Sequence, residues 1–109
     1  MIEVNNLTTN KVDEAFLRGL AKKVLEGENE KIKDLSIALV GQGRIRELNK
    51  KYRKKNKATD VLSFQYNGSG EVVICLREVK KNAKKFKSAF EKELARVLTH
   101  GIKNLCQNH

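Results

Sequence analysis

No run of apolar residues in this 109-residue chain approaches the ~20 that a membrane-spanning helix needs. The opening stretch, Met1-Ile-Glu-Val-Asn-Asn, has neither the basic segment nor the apolar core of an export signal. Two cysteines, Cys75 and Cys106, are too few for a disulfide framework, so a reducing cytoplasm is the expected setting. Gly-x-Gly-x-x-Gly, a Walker loop and His-Glu-x-x-His are all missing. Nucleotide hydrolysis and standard zincin chemistry therefore lack support. Aromatic residues are few, and Tyr52 and Tyr66 are the only tyrosines. Internal repeats and linkers are absent too, and the length fits one small domain over residues 1–109.

Positive charge is what the chain has in excess, +10 overall. Residues 1–43 hold six Lys/Arg against seven Asp/Glu, whereas residues 44–109 hold 17 against six. Two blocks carry most of it. Arg44 to Lys57 has eight basic residues and one acid, Glu47; Arg77 to Lys87 has six and one acid, Glu78. So uneven a field suits a polyanion, nucleic acid ahead of an anionic membrane. A lysine-rich solvated face would read the same way. With Tyr52 expected to pack inward, the pattern suits phosphate contacts to structured RNA better than stacking on single strands.

Periodicity predicts about four strands and about four helices, an α/β (α+β) layer fold with a mixed sheet. Met1 to Asn5 is a candidate edge strand. Asn10 is a candidate cap for a helix with Val12, Phe16, Leu17, Leu20, Val24 and Leu25 on one face, ending at Gly27. Leu35–Val40 and Val72–Leu76 are continuous apolar runs, the mark of strands covered on both faces. Between them lie a basic helix with Ile45, Leu48 and Tyr52 inward, a Lys54–Lys57 loop, the strand Val61–Phe64 and a turn at Asn67–Gly70. A helix with Val79, Ala83 and Phe86 inward follows. A Ser88/Glu91 capping box then starts a last helix with a stripe of Phe90, Leu94, Val97, Leu98, Ile102 and Leu105.

The last ten residues carry both histidines, His100 and His109. A catalytic zinc takes about three protein ligands and an open place for water. Ligands four apart on a helix share one face. The residue four after His100 is Asn104, whose neutral amide is a poor zinc ligand. Cys106 and the C-terminal carboxylate are the remaining local donors.

Four segments occur in a recognisable order: Leu48-Asn-Lys-Lys-Tyr-Arg53, Ala58-Thr-Asp-Val-Leu-Ser-Phe64, Gly70-Glu-Val-Val-Ile74 and His100-Gly101. Together they resemble the bacterial rRNA maturation ribonucleases of the YbeY family, over about residues 35–101. The resemblance implies a single α/β domain, C-terminally shortened here relative to the family. It implies a zinc-dependent single-strand endoribonuclease, acting in rRNA maturation and ribosome quality control. It also implies one zinc ion, and rRNA or the small ribosomal subunit as partner. A ribosomal protein or a ribosome-assembly GTPase is a further implied partner, and a membrane is not.

By position, His100 matches the first metal ligand and Arg53 the family's functional arginine. Ser63 matches the serine beside the site, and Glu71 stands where the family has Asp. Asn104 occupies the second ligand position, and His109 falls one residue short of the third. Gln65 stands where the family has Pro. Expected catalytic residues are thus Arg53 and His100, and expected metal ligands His100 and His109. Expected RNA contacts are Arg44, Arg46, Lys50, Lys51, Arg53, Lys54 and Lys55, with Asp60, Ser63 and Glu71 in support. A catalytically impaired rRNA- or ribosome-binding module is the alternative. A zinc-peptidase-like hydrolase rests on histidine spacing alone.

Overall fold

The computed structural model describes residues 1–28 and 32–107. The elements run β1 (Ile2–Asn6), α1 (Glu14–Gly27), β2 (Asp34–Val40), α2 (Gln42–Arg53), β3 (Val61–Tyr66), β4 (Ser69–Cys75), α3 (Leu76–Lys85) and α4 (Phe90–Gln107). The sheet order is β1-β2-β4-β3. β1 and β4 flank β2 in parallel, and β3 returns antiparallel on β4. The sheet is therefore mixed, and β3 is one of its edges.

Strand alternation divides the core in two. Leu35, Ile37 and Leu39 of β2, with Val72 and Ile74 of β4, face α1 and α4. Ala38, Val40, Val73, Cys75 and Leu62 face the other way, onto Ile45 of α2. The continuous apolar runs of β2 and β4 thus serve both layers. Leu76 and Val79 anchor α3 in the larger core.

Several local expectations change. Asp13, not Asn10, caps α1: its Oδ1 accepts from the Phe16 N–H at 3.0 Å. Asn10 is occupied otherwise, its carbonyl accepting from Asn6 Nδ2 at 2.7 Å. Gly27 is the last helical residue, and extended backbone at Glu28 closes the helix. The turn between β3 and β4 narrows to Asn67-Gly68, with Gly68 at φ +80°, because Ser69 and Gly70 already pair with β3. Leu76 begins α3 and does not extend β4. Ser88 Oγ donates to the Ala89 carbonyl, and α4 begins at Phe90.

Two aromatic residues expected inside lie outside. Phe86 follows α3 as its C-cap and is 62% exposed; Tyr52 is 51% exposed. The cause at Tyr52 is the sheet edge. The last turn of α2 meets β3 through the Tyr52–Phe64 contact, and β3 is an edge with no strand beyond it among the described residues. Asn49 takes the buried position instead.

Candidate RNA-binding site at the sheet edge

The site forms where α4 crosses the β3–β4 hairpin. Gly101 makes the crossing close: a Cβ there would lie 2.8 Å from Val72 Cγ1 and 3.0 Å from Val61 Cγ2. Backbone can then meet side chain, and Ser63 Oγ donates to the Gly101 carbonyl at 2.8 Å. Arg53, from the last turn of α2, reaches the same strand. Its Nη2 donates to the Ser63 carbonyl at 2.7 Å, and its Cζ sits 5.0 Å from the centroid of the Phe64 ring. Arg53, Ser63 and the His100-Gly101 step are thus joined through one β3 residue.

These contacts orient Arg53 without neutralising it. A carbonyl and a ring face are its partners, and no carboxylate pairs with it among the described residues. A guanidinium has five N–H groups in a fixed fork, and this bond uses one of them. Its neighbours include Tyr52, Ser63, Phe64, Gln65, Tyr66 and Leu105, which line an open cleft of about 390 Å³.

The rest of the basic segment divides by partner. Arg44 pairs with Glu47 at 3.3 Å, and Arg46 Nε donates to Asn56 Oδ1 at 2.9 Å. Lys50, Lys51, Lys54 and Lys55 are exposed and have no acid partner among the described residues. Asn49 holds this loop in place: its Nδ2 donates to the Lys57 carbonyl at 2.9 Å, and its own carbonyl accepts from the Lys55 N–H at 3.2 Å.

The supporting residues are spread apart. Asp60 lies at the start of β3 and serves α3 and β4. Its Oδ2 accepts from Asn82 Nδ2, and its carbonyl from the Cys75 N–H. Glu71 pairs across the strands with Phe64, one residue before Val72 and so on the face away from Ser63 and Gly101. It lines a separate cleft with Asp34, Ser36 and Tyr66.

At the expected metal position, Asn104 Nδ2 lies 3.4 Å from His100 Nε2. The i+4 spacing does bring the two side chains together, but the second one is an amide. Cys106 turns away, packing against the larger core. Burial first, then the Glu28 carboxylate, pushes its thiol up, against the thiolate form a metal prefers. His109 lies outside the described residues. No grouping of three His, Cys, Asp or Glu occurs among the described residues. With one imidazole and one amide at hand, those residues do not fit a three-donor zinc site.

The family model for Endoribonuclease YbeY matches residues 3–106. An Endoribonuclease YbeY of Chlorobium luteolum is 32% identical over 108 residues, covering 95% of this chain and 79% of the relative. One from Thermotoga maritima is 35% identical over 100 residues, covering 80% and 67%. A solution structure of a Thermotoga maritima protein superimposes with a TM-score of 0.71 at 30% identity, covering 99% of this chain and 73% of that one. A small mixed-sheet α+β domain of this kind thus has known counterparts. The chain belongs to the YbeY endoribonuclease family.

Of the residues singled out in the sequence, the fold joins Arg53 to Ser63 and His100 to Asn104, with the Gly101 carbonyl bonded to Ser63. Sequence reasoning missed the exposed ring of Tyr52 and the structural role of Asn49. The signal for Asn49 was its place in the Leu48-Asn-x-x-Tyr-Arg53 segment, directly before a loop too charged to bury. No helix among the described residues is long and apolar enough to cross a membrane.

Proposed function

We propose that this chain binds ribosomal RNA through Arg53 and the exposed lysines of α2 and the following loop, and acts in rRNA maturation as an endoribonuclease. The observation that carries this reading is the fixed, un-neutralised guanidinium of Arg53 beside the His100-Gly101 step. An Arg so held forks onto phosphate oxygens without reorganising. The same donors aimed at a phosphate stabilise the charge that develops as the P–O bond breaks. His100 is an exposed imidazole, a side chain of the kind that serves in general acid–base catalysis. Zinc, when bound in a relative's site, would polarise the phosphate or activate water; the donor set described above gives it no role in the steps assigned to this chain's residues.

A second reading, RNA binding without cleavage, is favoured by one observation. Asn104 stands against His100 where a second ligand would be needed.

Binding and cleavage of a single-stranded rRNA fragment test both readings. Replacing Lys50, Lys51 and Arg53 with Glu should abolish a binding that weakens steeply with salt. Unchanged affinity would sink the binding site. Arg53→Gln should slow cleavage more than it weakens binding. If the native chain binds but cuts nothing, the second reading holds.

A further inference from the structure

We propose that Tyr52 and Tyr66 form a stacking platform for the unpaired bases of single-stranded RNA, beside the phosphate contact at Arg53. The inference rests on the RNA-binding reading above and adds to it how the bases are held.

The chain has six aromatic residues and no tryptophan, and three of the six, Tyr52, Phe64 and Tyr66, line the one cleft that also holds Arg53. Tyr52 and Tyr66 are 51% and 55% exposed and belong to neither core cluster. About half of each residue is thus presented to solvent. Phe64 backs them. The Tyr52 ring meets it edge-on at 5.3 Å and 69°. Tyr66 lies two residues along the same strand face, roughly 7 Å away by strand rise.

Cations interleave with the rings. Lys51 Nζ is 5.2 Å from the Tyr52 centroid, and Arg53 covers the Phe64 face. Stacked bases on such a strip would carry their phosphates past Lys51 and Arg53. Proximity of the two tyrosines is also felt electrically. The Tyr66 hydroxyl is pushed up from 10.0 by partial burial first, then by Glu71, then by Tyr52.

Only an unpaired base can offer its face to such a strip. In a duplex the faces are already stacked, and the deep A-form groove hides the edges. A sequence-tolerant platform is also what ring stacking provides, since every base has a π-face.

The test is fluorescence anisotropy with three labelled probes: a short mixed-sequence single-stranded RNA, an abasic ribose-phosphate strand of equal length, and a blunt-ended RNA duplex. Tyr52→Leu with Tyr66→Leu keeps apolar bulk but removes the π-faces; Tyr52→Phe with Tyr66→Phe keeps the faces. The leucine pair should bind the base-bearing strand about 5- to 150-fold more weakly for each stacked base lost. The phenylalanine pair should match the native chain, and all three should bind the abasic strand alike with the same salt slope. Because the chain has two tyrosines and no tryptophan, its emission reports on the platform alone. The base-bearing strand should quench it and the abasic strand should not.

If the leucine pair binds the base-bearing strand as tightly as the native chain, or loses as much on the abasic strand, the platform is refuted and the phosphate site stands. The same holds if the blunt-ended duplex is bound as tightly as the single strand. If the native chain binds neither strand, the RNA-binding reading falls with it.

Discussion

Replacing Gly101 with Ala tests the crossing on which the site is built. The new Cβ would meet Val72 Cγ1 at 2.8 Å, Val61 Cγ2 at 3.0 Å and Ser63 Oγ at 3.4 Å. Val72 is fully buried in the central strand β4, and β-branched side chains are stiff, so the helix must move rather than the strand. Overpacking of this kind costs about 1–3 kcal/mol. A shifted helix also strains the Ser63–Gly101 hydrogen bond, worth about 0.5–1.5 kcal/mol. Against these, Ala gains about 1 kcal/mol of helix propensity over Gly. The expected net loss is about 2 kcal/mol, which lowers Tm by roughly 5–15 °C in a domain of this size. Thermal and denaturant unfolding followed by far-UV circular dichroism measure it. Val72→Ala costs stability alone, but in the Gly101→Ala background it opens the space the new methyl needs. The two changes should therefore be less than additive. A neutral or stabilising Gly101→Ala, with additive Val72→Ala, would refute the close crossing.

Three further outcomes are expected. Lys54, the C-cap of α2, sits in the left-handed region at φ 60°. Lys54→Gly should gain about 0.5–1 kcal/mol in unfolding free energy, while removing one cation lowers the salt slope of RNA binding by about 0.7–0.9; a destabilised variant would contradict the strain. Glu93 is buried, and the Arg96 hydrogen bonds hold its carboxyl below the usual 4.5. A depressed carboxyl contributes stability above 4.5 that is lost as pH falls through its folded value. Arg96→Leu should cost about 1–3 kcal/mol at neutral pH and abolish this acid loss, because burial alone raises the Glu93 carboxyl and acidification then relieves the penalty; unfolding midpoints against pH read it, and an unchanged profile would count against the pair. Asn104→His sets a second imidazole one turn from His100 and should raise zinc affinity in competition with a chromophoric chelator. Equal affinity in both chains would mean the two side chains cannot converge on one ion.

The layers were legible because their signal is local. The runs at Leu35–Val40 and Val72–Cys75 require burial on both faces wherever they fall. What failed depended on neighbours distant in sequence. Helical spacing gives the side of α2 on which Tyr52 lies, but not that the sheet ends beneath it. That spacing does not mark Asn49 as buried, because its partner, the Lys57 carbonyl, belongs to the next loop. Asn10 lost its capping role because Asn6 and Thr8 form a local hydrogen-bonded turn that takes up its backbone. Of the candidate site, Arg53, Ser63 and His100 were singled out by their order in the chain, and Arg53 meets Ser63. The separation of Glu71 was not readable, since it depends on the register that sets Val72 and not Glu71 opposite Ser63. That the histidine's neighbour is an amide was plain in the sequence; that their side chains meet needed the helix.

The antiparallel register leaves the backbone groups of Val61, Ser63 and Gln65 directed away from β4. An open edge of this kind is a template on which a second sheet can grow into an aggregate. Arg53 occupies the Ser63 carbonyl in the middle of that row, and Lys54 and Lys55 follow it with charges that repel an identical copy. The cations proposed to attract RNA therefore also act as gatekeepers of colloidal stability. Stripping them to weaken nucleic-acid binding should leave a protein that folds but clumps as its concentration rises.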